Sequence, residues 1–159
     1  GVYFVPAFNG LGTPHWDQDA RGLIIGLTRG SNRGHIARAT LEAIAFQVAD
    51  LMEAMKKDSG LALKELRVDG GAAANNLLLQ IQSDLLQADV VRPKNTETTA
   101  LGAALLAGLA VGFYPSLESL SQAAEPDRVF TPEKTPQEIS EHTAEWNRAV
   151  ERCKGWARS

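Results

Sequence analysis

The chain has 159 residues, of which 44% are hydrophobic and 22% are charged, a composition typical of a globular domain with a buried core. This composition excludes global disorder, which requires low hydrophobicity and high net charge. Acidic residues outnumber basic residues by 19 to 16, and the net charge is −3, so we expect no nucleic-acid partner. The single cysteine, Cys153, excludes an intrachain disulfide.

The apolar segments are too short to predict a membrane span. The most apolar stretch, Ala100 to Tyr114, is shorter than the roughly 18 residues that a bilayer crossing requires. The first residues, GVYFVPAF, lack the basic region and the small-residue cleavage site of a signal peptide. A single cysteine also fits a reducing compartment, and we expect a cytoplasmic location.

The start of the chain predicts two short strands separated by a loop. Val2 to Val5 is rich in β-branched and aromatic residues, and Leu23 to Leu27 is a second apolar run. Residues 8–22 between them are rich in Gly, Pro, Asn and Asp, which favours a loop. We expect the carboxylates of Asp17 and Asp19 in this loop to be solvated rather than to bind a cation.

A long amphipathic helix is predicted from His35 to Lys57. Ser31 or Asn32 can cap its start, and Gly60 is placed to end it. The face that we expect to point inward consists of apolar residues at spacings of three and four, namely Ile36, Leu41, Ile44, Val48, Leu51, Met52 and Met55.

The middle of the chain alternates strands and helices. Leu66 to Val68 and Val90 to Val91 predict short strands, each followed by a helix. The first helix starts after an Asn cap at position 75 or 76 and runs to about Gln87, and the second runs from about Thr99 to Val111. This alternation indicates an α/β fold class.

The composition changes after residue 114, where only helices are predicted. They run from Ser116 to Ala123 and from Pro136 to Trp156. The inward face of the long second helix is expected to include Ile139, Trp146, Ala149 and Val150. We therefore divide the chain into an α/β part, residues 1–114, and a helical extension, residues 115–159.

The most specific local feature is the segment DGGAAANN, from Asp69 to Asn76, which joins a predicted strand to a predicted helix. Gly70 and Gly71 let the backbone approach a ligand closely. The start of the following helix offers free N–H groups and a positive dipole end to an anionic or polar ligand. Asn75 can face a nucleobase or cap the helix. The alternative is a tight strand-to-helix turn with an ordinary cap, and the residues of this segment leave both interpretations open.

Other features favour ordinary structural roles. Small residues recur at every fourth position from Ala100 to Gly112, which favours close packing of this helix against another helix or the sheet. Arg29 could hold a phosphate and His35 could act as a base, but we favour a local hydrogen bond for His35 and a satisfied polar role for Glu42. The sequence contains no Walker-type loop, no G-x-G-x-x-G, no zinc-ligand pattern and no nucleophile elbow.

Several motifs, in the correct order, resemble the FGGY carbohydrate kinases. The pattern Gly22-x-Ile24-x-Gly26-Leu27, followed by His35-Ile36 and Ala39-Thr40-Leu41-Glu42, is similar to the second signature of that family. The segments FNGLGTPHWD, ARGLIIGLTRG, HIARATLEAIAFQ, RVDGGAAANN and ETTALGAALLAG extend the resemblance from about Val2 to Trp156. The run NGLGTPHWD resembles family members that act on glycerol, whereas members that act on xylulose or gluconate tend to carry a G-E-R-x-P version.

The resemblance implies that the γ-phosphate of ATP is transferred, with Mg²⁺, to glycerol, giving ADP and sn-glycerol 3-phosphate. It also implies part of an actin/hexokinase-type (RNase H-like) ATPase lobe, on the nucleotide side, with a C-terminal helical extension. By the same resemblance Gly71 lies near the phosphates and ribose, and Asn75 meets the adenine side. Asp69, Gly70 and Ala72 shape the same turn.

The resemblance further implies that the chain is the C-terminal portion of a larger kinase. In the family, the glycerol pocket, the catalytic base aspartate and the phosphate-gripping turns precede the first residue of this sequence. We therefore assign no catalytic residue, no glycerol-binding residue and no metal ligand to this chain. We expect it to be inactive without the N-terminal kinase lobe, and we expect the complete enzyme to be a homo-oligomer.

Two alternatives to this interpretation stay open. The chain could be a segment of another FGGY kinase that acts on a different sugar or polyol. It could also be a stand-alone nucleotide-binding module without catalysis.

Overall fold

The computed structural model describes residues 1–123 and 126–157, which form an α/β structure. The strands are β1 (Tyr3–Val5), β2 (Leu23–Ile25), β3 (Glu65–Arg67), β4 (Asp89–Pro93) and β5 (Pro126–Phe130). The α-helices are α1 (Arg33–Ser59), α2 (Asn76–Leu86), α3 (Thr98–Ala110) and α4 (Pro136–Cys153). Two 3-10 turns cover Gly71–Ala74 and Glu118–Ala123. Every predicted strand and helix is therefore present near its predicted position.

The strands form two small sheets. β1 pairs antiparallel with β2, with Tyr3 opposite Ile25. The second sheet has the order β3-β4-β5, in which β3 runs parallel to β4 and β5 runs antiparallel to it. Because β3 and β4 are parallel, the loops that follow them meet at the same edge of the sheet.

Strand β5 was not predicted, because only helices were expected after residue 114. Its sequence, PDRVF, starts at a proline and is short, so neither propensity nor period identifies it. β5 forms because the free edge of β4 supplies hydrogen-bonding partners and Phe130 becomes almost fully buried, at 2% exposure. Residues 115–159 therefore contribute a strand to the sheet of the α/β part, while the division at residue 114 stays a prediction.

Helix α1 has the predicted ends, but a different face is buried. Asn32 accepts hydrogen bonds from the Gly34 and His35 N–H groups, and Gly60 ends the helix in the left-handed conformation, with φ of 70°. The fully buried residues are small or aromatic, namely Ala39, Ala43, Ala45 and Phe46. Four of the residues predicted to point inward are more than a third exposed, namely Ile36, Ile44, Leu51 and Met55. Alanines take the inner face because they allow β1 and α2 to approach the helix closely.

Helix α4 is held by Trp146, which is 1% exposed. The indole ring stacks on Phe46 of α1 with ring centroids 4.9 Å apart and an interplanar angle of 5°. Its Nε1 donates a hydrogen bond of 3.0 Å to Asp50 Oδ2, and His15 Nε2 lies 3.4 Å from the same oxygen. Cys153 is buried in the same cluster, and its burial raises the pKa of the thiol. The predicted inward face of α4 is confirmed.

The carboxylate of Asp17 has a structural role, so the expectation that it is simply solvated was wrong. Its Oδ1 accepts hydrogen bonds from the Asp19 and Ala20 N–H groups, and its Oδ2 accepts one of 2.8 Å from the Gly155 N–H group. The loop after β1 is thereby joined to the residues that follow α4. The sequence could not indicate this contact because it joins positions 138 residues apart.

Helix α3 is apolar along its length, yet none of its residues is buried by the other described elements. The sequence predicts close packing of its small residues against another helix or the sheet, but Ala100 and Ala104 are exposed. A Cβ added to Gly108 would lie 2.8 Å from the ring of Tyr114, which follows shortly after the helix. At Gly102 and Gly112 an added Cβ would meet nothing within 4 Å. Across the described ranges, no helix combines the length and apolarity that a membrane crossing needs.

Helix α2 is anchored near its C-terminal end by two buried polar side chains. Ser83 donates a hydrogen bond to the carbonyl oxygen of Ala88 or of Phe130, at 2.9 and 3.0 Å. Asp84, which is 6% exposed, accepts hydrogen bonds at Oδ1 from the Glu133 N–H group at 2.8 Å and from the Lys134 N–H group at 3.4 Å. These bonds attach the segment between β5 and α4 to α2.

Removing the Asp84 carboxylate should destabilise this attachment. We expect Asp84→Ala to lower the free energy of unfolding by about 2–3 kcal/mol, because two backbone N–H groups lose a charged acceptor. Asp84→Asn keeps an acceptor oxygen and should cost about 1 kcal/mol. Urea unfolding followed by circular dichroism measures both values, with Glu141→Ala on the exposed face of α4 as the control. Equal effects of the three substitutions would contradict the anchoring role.

Candidate functional site

The DGG turn, defined as residues Asp69–Asn76, lies at the edge of the sheet where the loops after β3 and β4 meet. The Gly70 N–H group donates a hydrogen bond of 2.8 Å to the carbonyl oxygen of Thr96 in the loop after β4. Thr98 Oγ1, at the start of α3, donates a hydrogen bond to Asp69 Oδ2. Crevices at the carboxyl ends of parallel strands are the usual location of ligand sites in α/β sheets. The DGG turn therefore occupies the expected place for a ligand site.

The two glycines of the turn have different roles. Gly70 has φ of 78°, in the left-handed region where a side chain is strained, so it is required by the backbone. Gly71 does not need that conformation, and a Cβ added to it would meet nothing within 4 Å. Gly71 and Ala72 are both exposed at the start of the 3-10 turn. The surface above Gly71 is thus open to close approach by a ligand.

Asn75 caps helix α2. Its Oδ1 accepts a hydrogen bond of 3.1 Å from the Leu78 N–H group, and its backbone is extended, with φ of −86° and ψ of 103°. The side chain is exposed, and within the described residues its Nδ2 forms no hydrogen bond. The capping role that the sequence left open is therefore present, and the amide group still has two N–H bonds to offer to a ligand.

Arg92, near the end of β4, supports the turn from the sheet. Its Nη1 donates hydrogen bonds to the Ala73 carbonyl oxygen at 3.2 Å and to Asn76 Oδ1 at 2.8 Å. Its Nε and Nη2 both donate to Asp127 Oδ2, at 2.9 and 2.7 Å. The sequence analysis missed Arg92, because its partners lie on α2, on the 3-10 turn and on a strand that was not predicted.

A cavity of about 260 Å³ opens beside the turn. Its walls include Asp69, Thr98 and Pro93, and it reaches the first residue of β5, Pro126. A larger groove of about 650 Å³ lies between α1, the end of α2 and α4, but no residue of the DGG turn lines it. We regard the smaller cavity as part of the site, because its walls include residues of the two joined loops.

The other residues singled out from the sequence have local roles. His35 Nδ1 accepts a hydrogen bond of 3.1 Å from the Asn32 N–H group at the start of α1. Glu42 pairs with Arg38, one helical turn away, at 2.6 Å. Both favoured interpretations are confirmed. Within the described part of the chain, no group of three or more His, Cys, Asp or Glu side chains could hold a metal ion.

Residues 1–111 match the model of the FGGY family of carbohydrate kinases, C-terminal domain. The chain belongs to this family. It is 60% identical over 157 residues to a glycerol kinase of Trichlorobacter lovleyi, covering 99% of this chain and 32% of that protein. It is 58% identical over 156 residues to a glycerol kinase of Rhodopirellula baltica, covering 98% of this chain and 29% of that protein. The chain thus spans about a third of the length of the curated relatives that it matches.

Solved structures show the same relationship. The crystal structure of Plasmodium falciparum glycerol kinase with ADP matches with a TM-score of 0.86 and 43% identity, over 96% of this chain and 30% of that one. Xylulose kinase from Lactobacillus acidophilus matches with a TM-score of 0.71 and 27% identity, over 95% of this chain and 30% of that one. The predicted fold, part of an actin/hexokinase-type ATPase lobe, is confirmed. The nucleotide-binding roles of Asp69, Gly70, Gly71, Ala72 and Asn75 stay a prediction.

The two roles of Asn75 can be separated by substitution. Asn75→Ala removes the cap of α2 and should lower the free energy of unfolding by about 1 kcal/mol. Asn75→Asp keeps an oxygen that can accept from the Leu78 N–H group, and Asp is as good a cap as Asn, so stability should change by less than about 0.5 kcal/mol. Thermal unfolding of the two variants provides the measurement. A loss of stability in Asn75→Asp as large as that in Asn75→Ala would contradict the capping role.

Proposed function

We propose that the chain is the nucleotide-side segment of a glycerol kinase, which transfers the γ-phosphate of ATP to glycerol and releases ADP and sn-glycerol 3-phosphate. One observation carries this choice of substrate. The chain is 56–60% identical to eight curated glycerol kinases over nearly its whole length, whereas it is 27% identical to solved xylulose and gluconate kinases. The contrast favours glycerol over the other substrates of the family.

Phosphoryl transfer depends mainly on positioning and on neutralising charge, with a base for the attacking hydroxyl. In our proposal this chain contributes positioning. The open surface above Gly71 takes the phosphates and ribose, since no side chain there blocks close approach. The exposed amide of Asn75 donates a hydrogen bond on the adenine side, while Asp69, Gly70 and Ala72 hold the shape of the turn. The start of α2 offers a positive dipole end nearby.

The remaining chemistry is assigned to other parts of the enzyme. We propose that Mg²⁺ arrives with ATP and is held by the phosphates and by residues outside this chain. The glycerol pocket and the catalytic base belong to an N-terminal kinase lobe. The apolar helix α3, which the described residues leave without a single buried residue, supports such a partner, because an apolar helix is stable where its surface is covered. We further propose a cytoplasmic, homo-oligomeric enzyme.

The assignment of substrate is tested by the release of ADP from ATP with glycerol, xylulose or gluconate. The complete kinase that contains this sequence should be active with glycerol and at least about a hundredfold less active with the two sugars, in keeping with the discrimination that polar substrate contacts provide. The 159-residue chain alone should be inactive with all three. Preference for xylulose or gluconate would indicate another FGGY kinase, and binding of ATP without turnover by the complete protein would indicate a binding module.

The nucleotide site is tested by Gly71→Val in the complete kinase. A Cβ added at this position meets nothing within 4 Å, so we expect the fold to be unchanged, but the valine side chain fills the surface proposed for the phosphates and ribose. We expect the affinity for ATP to fall by at least about tenfold, which corresponds to about 1.4 kcal/mol, with little change in the affinity for glycerol. Asn75→Asp, which keeps the cap but loses the amide donor, should also weaken ATP binding.

A matched control is Gly12→Val in the loop after β1, where an added Cβ also meets nothing within 4 Å. This variant should bind ATP as the wild type does. An unchanged ATP affinity in both Gly71→Val and Asn75→Asp would refute the assignment of the DGG turn as the nucleotide site.

A further inference from the structure

The guanidinium group of Arg92 forms contacts with groups from several different elements. Its side chain is only 14% exposed. Asp127 of β5 binds Nε and Nη2, the Ala73 carbonyl oxygen and Asn76 Oδ1 bind Nη1, and the ring of Phe130 lies 5.6 Å from the guanidinium carbon. The sheet, the 3-10 turn and helix α2 thus meet at one planar side chain. Arginine suits this place because its donors lie in a rigid plane.

The contacts of Nη1 fall on the DGG turn itself. Ala73 lies in the 3-10 turn that starts at Gly71, and Asn76 is the first residue of α2 and follows Asn75 directly. The hydrogen bonds from Arg92 therefore limit rotation of the segment that carries Gly71 and Asn75. Loss of these bonds would free the turn relative to the sheet without removing any group that we assign to the nucleotide.

We infer that Arg92 is a positioning residue for nucleotide binding, which acts by fixing the DGG turn and does not touch the nucleotide. This inference rests on the proposed function of the turn. Asp127 neutralises the charge of Arg92 at 2.7 Å, so attraction of the phosphates by a free positive charge is not the role that we assign. The planar arrangement of the guanidinium donors matters instead, because this one group must donate hydrogen bonds to Asp127 and to the turn at the same time.

The two possible roles of Arg92, positioning of the turn and attraction by its charge, predict different nucleotide affinities for a lysine at this position. Lysine keeps the positive charge but has a single ammonium group in place of the planar fork. If Arg92 acts through charge, Arg92→Lys should bind nucleotide as the wild type does. If Arg92 acts by positioning, Arg92→Lys should be nearly as impaired as Arg92→Met, which has neither charge nor donors.

The experiment measures binding of MgADP by calorimetry and the KM values for ATP and glycerol in the complete kinase. We expect Arg92→Lys and Arg92→Met both to weaken MgADP binding by about tenfold, the scale of one or two lost hydrogen bonds. KM for ATP should rise in parallel, and KM for glycerol should stay within about twofold of the wild-type value. Arg128→Met is the matched control, because Arg128 also lies over Phe130, at 4.6 Å, and pairs with Arg92 in the sheet. That control should bind MgADP normally.

Two milder variants cover the case in which Arg92 variants fail to fold. Asn76→Ala removes one exposed acceptor, and Asp127→Asn removes the charge that orients the guanidinium. Each should weaken MgADP binding by a few fold. Wild-type MgADP affinity in Arg92→Lys, or in both milder variants when the Arg92 variants do not fold, would overturn the inference. An equal loss in Arg128→Met would also overturn it.

Measurements on the wild-type enzyme distinguish a failure of this inference from a failure of the proposed function. If the wild type binds MgADP but does not phosphorylate glycerol, the substrate assignment fails, and the Arg92 variants still test positioning through MgADP affinity. If the wild type binds no nucleotide, the nucleotide site and the role of Arg92 are both overturned. If the wild type binds nucleotide and the Arg92 variants bind MgADP with the same affinity, the positioning role of Arg92 is refuted and the proposed nucleotide site is not.

Discussion

The position of helix α2 depends on two buried polar side chains, Ser83 and Asp84, which bind the backbone at the last residue of β5 and in the segment that follows it. Hydrogen bonds to a buried carboxylate are stronger than those between neutral groups, and a buried carboxylate without partners is costly. The chain from 130 to 134 must therefore lie against α2. Once it does, Phe130 enters the core beside Leu79 and Val90, and β5 completes the sheet.

The candidate site is a consequence of this arrangement. β5 supplies Asp127, and Asp127 orients the guanidinium group of Arg92 toward the start of α2. Arg92 and the loop after β4 then hold the DGG turn from two directions, through Ala73 on one side and through Gly70 on the other. Gly71 and Asn75 are thus exposed, while the backbone of the segment that contains them is hydrogen-bonded to the rest of the protein. Such preorganisation reduces the cost of ordering the turn when a ligand binds.

Helix α4 attaches the C-terminal part of the chain to the rest of the molecule. Trp146 stacks on Phe46 and donates to Asp50, and the Gly155 N–H group binds Asp17. These contacts connect the end of the chain to α1 and to the loop after β1.

In contrast, α3 and the outer face of α1 expose large apolar side chains such as Leu106 and Met55. The described contacts therefore concentrate on one side of α1, which agrees with our proposal of a further kinase lobe.

The sequence by itself determined the order of the elements other than β5, the family and the position of the DGG turn, because these depend on local signals: the spacing of apolar residues, cap residues before α1 and α2, and glycines before a helix. It could not determine which face of α1 is buried, since Ile36 and Ala39 both fit a helical period and only the neighbours decide between them. Nor could it reveal β5, Asp17 bound to Gly155, or Arg92 bound to Ala73 and Asp127. Those features join residues far apart in the chain, and their stability comes from hydrogen bonds and burial that exist only after the tertiary structure has formed.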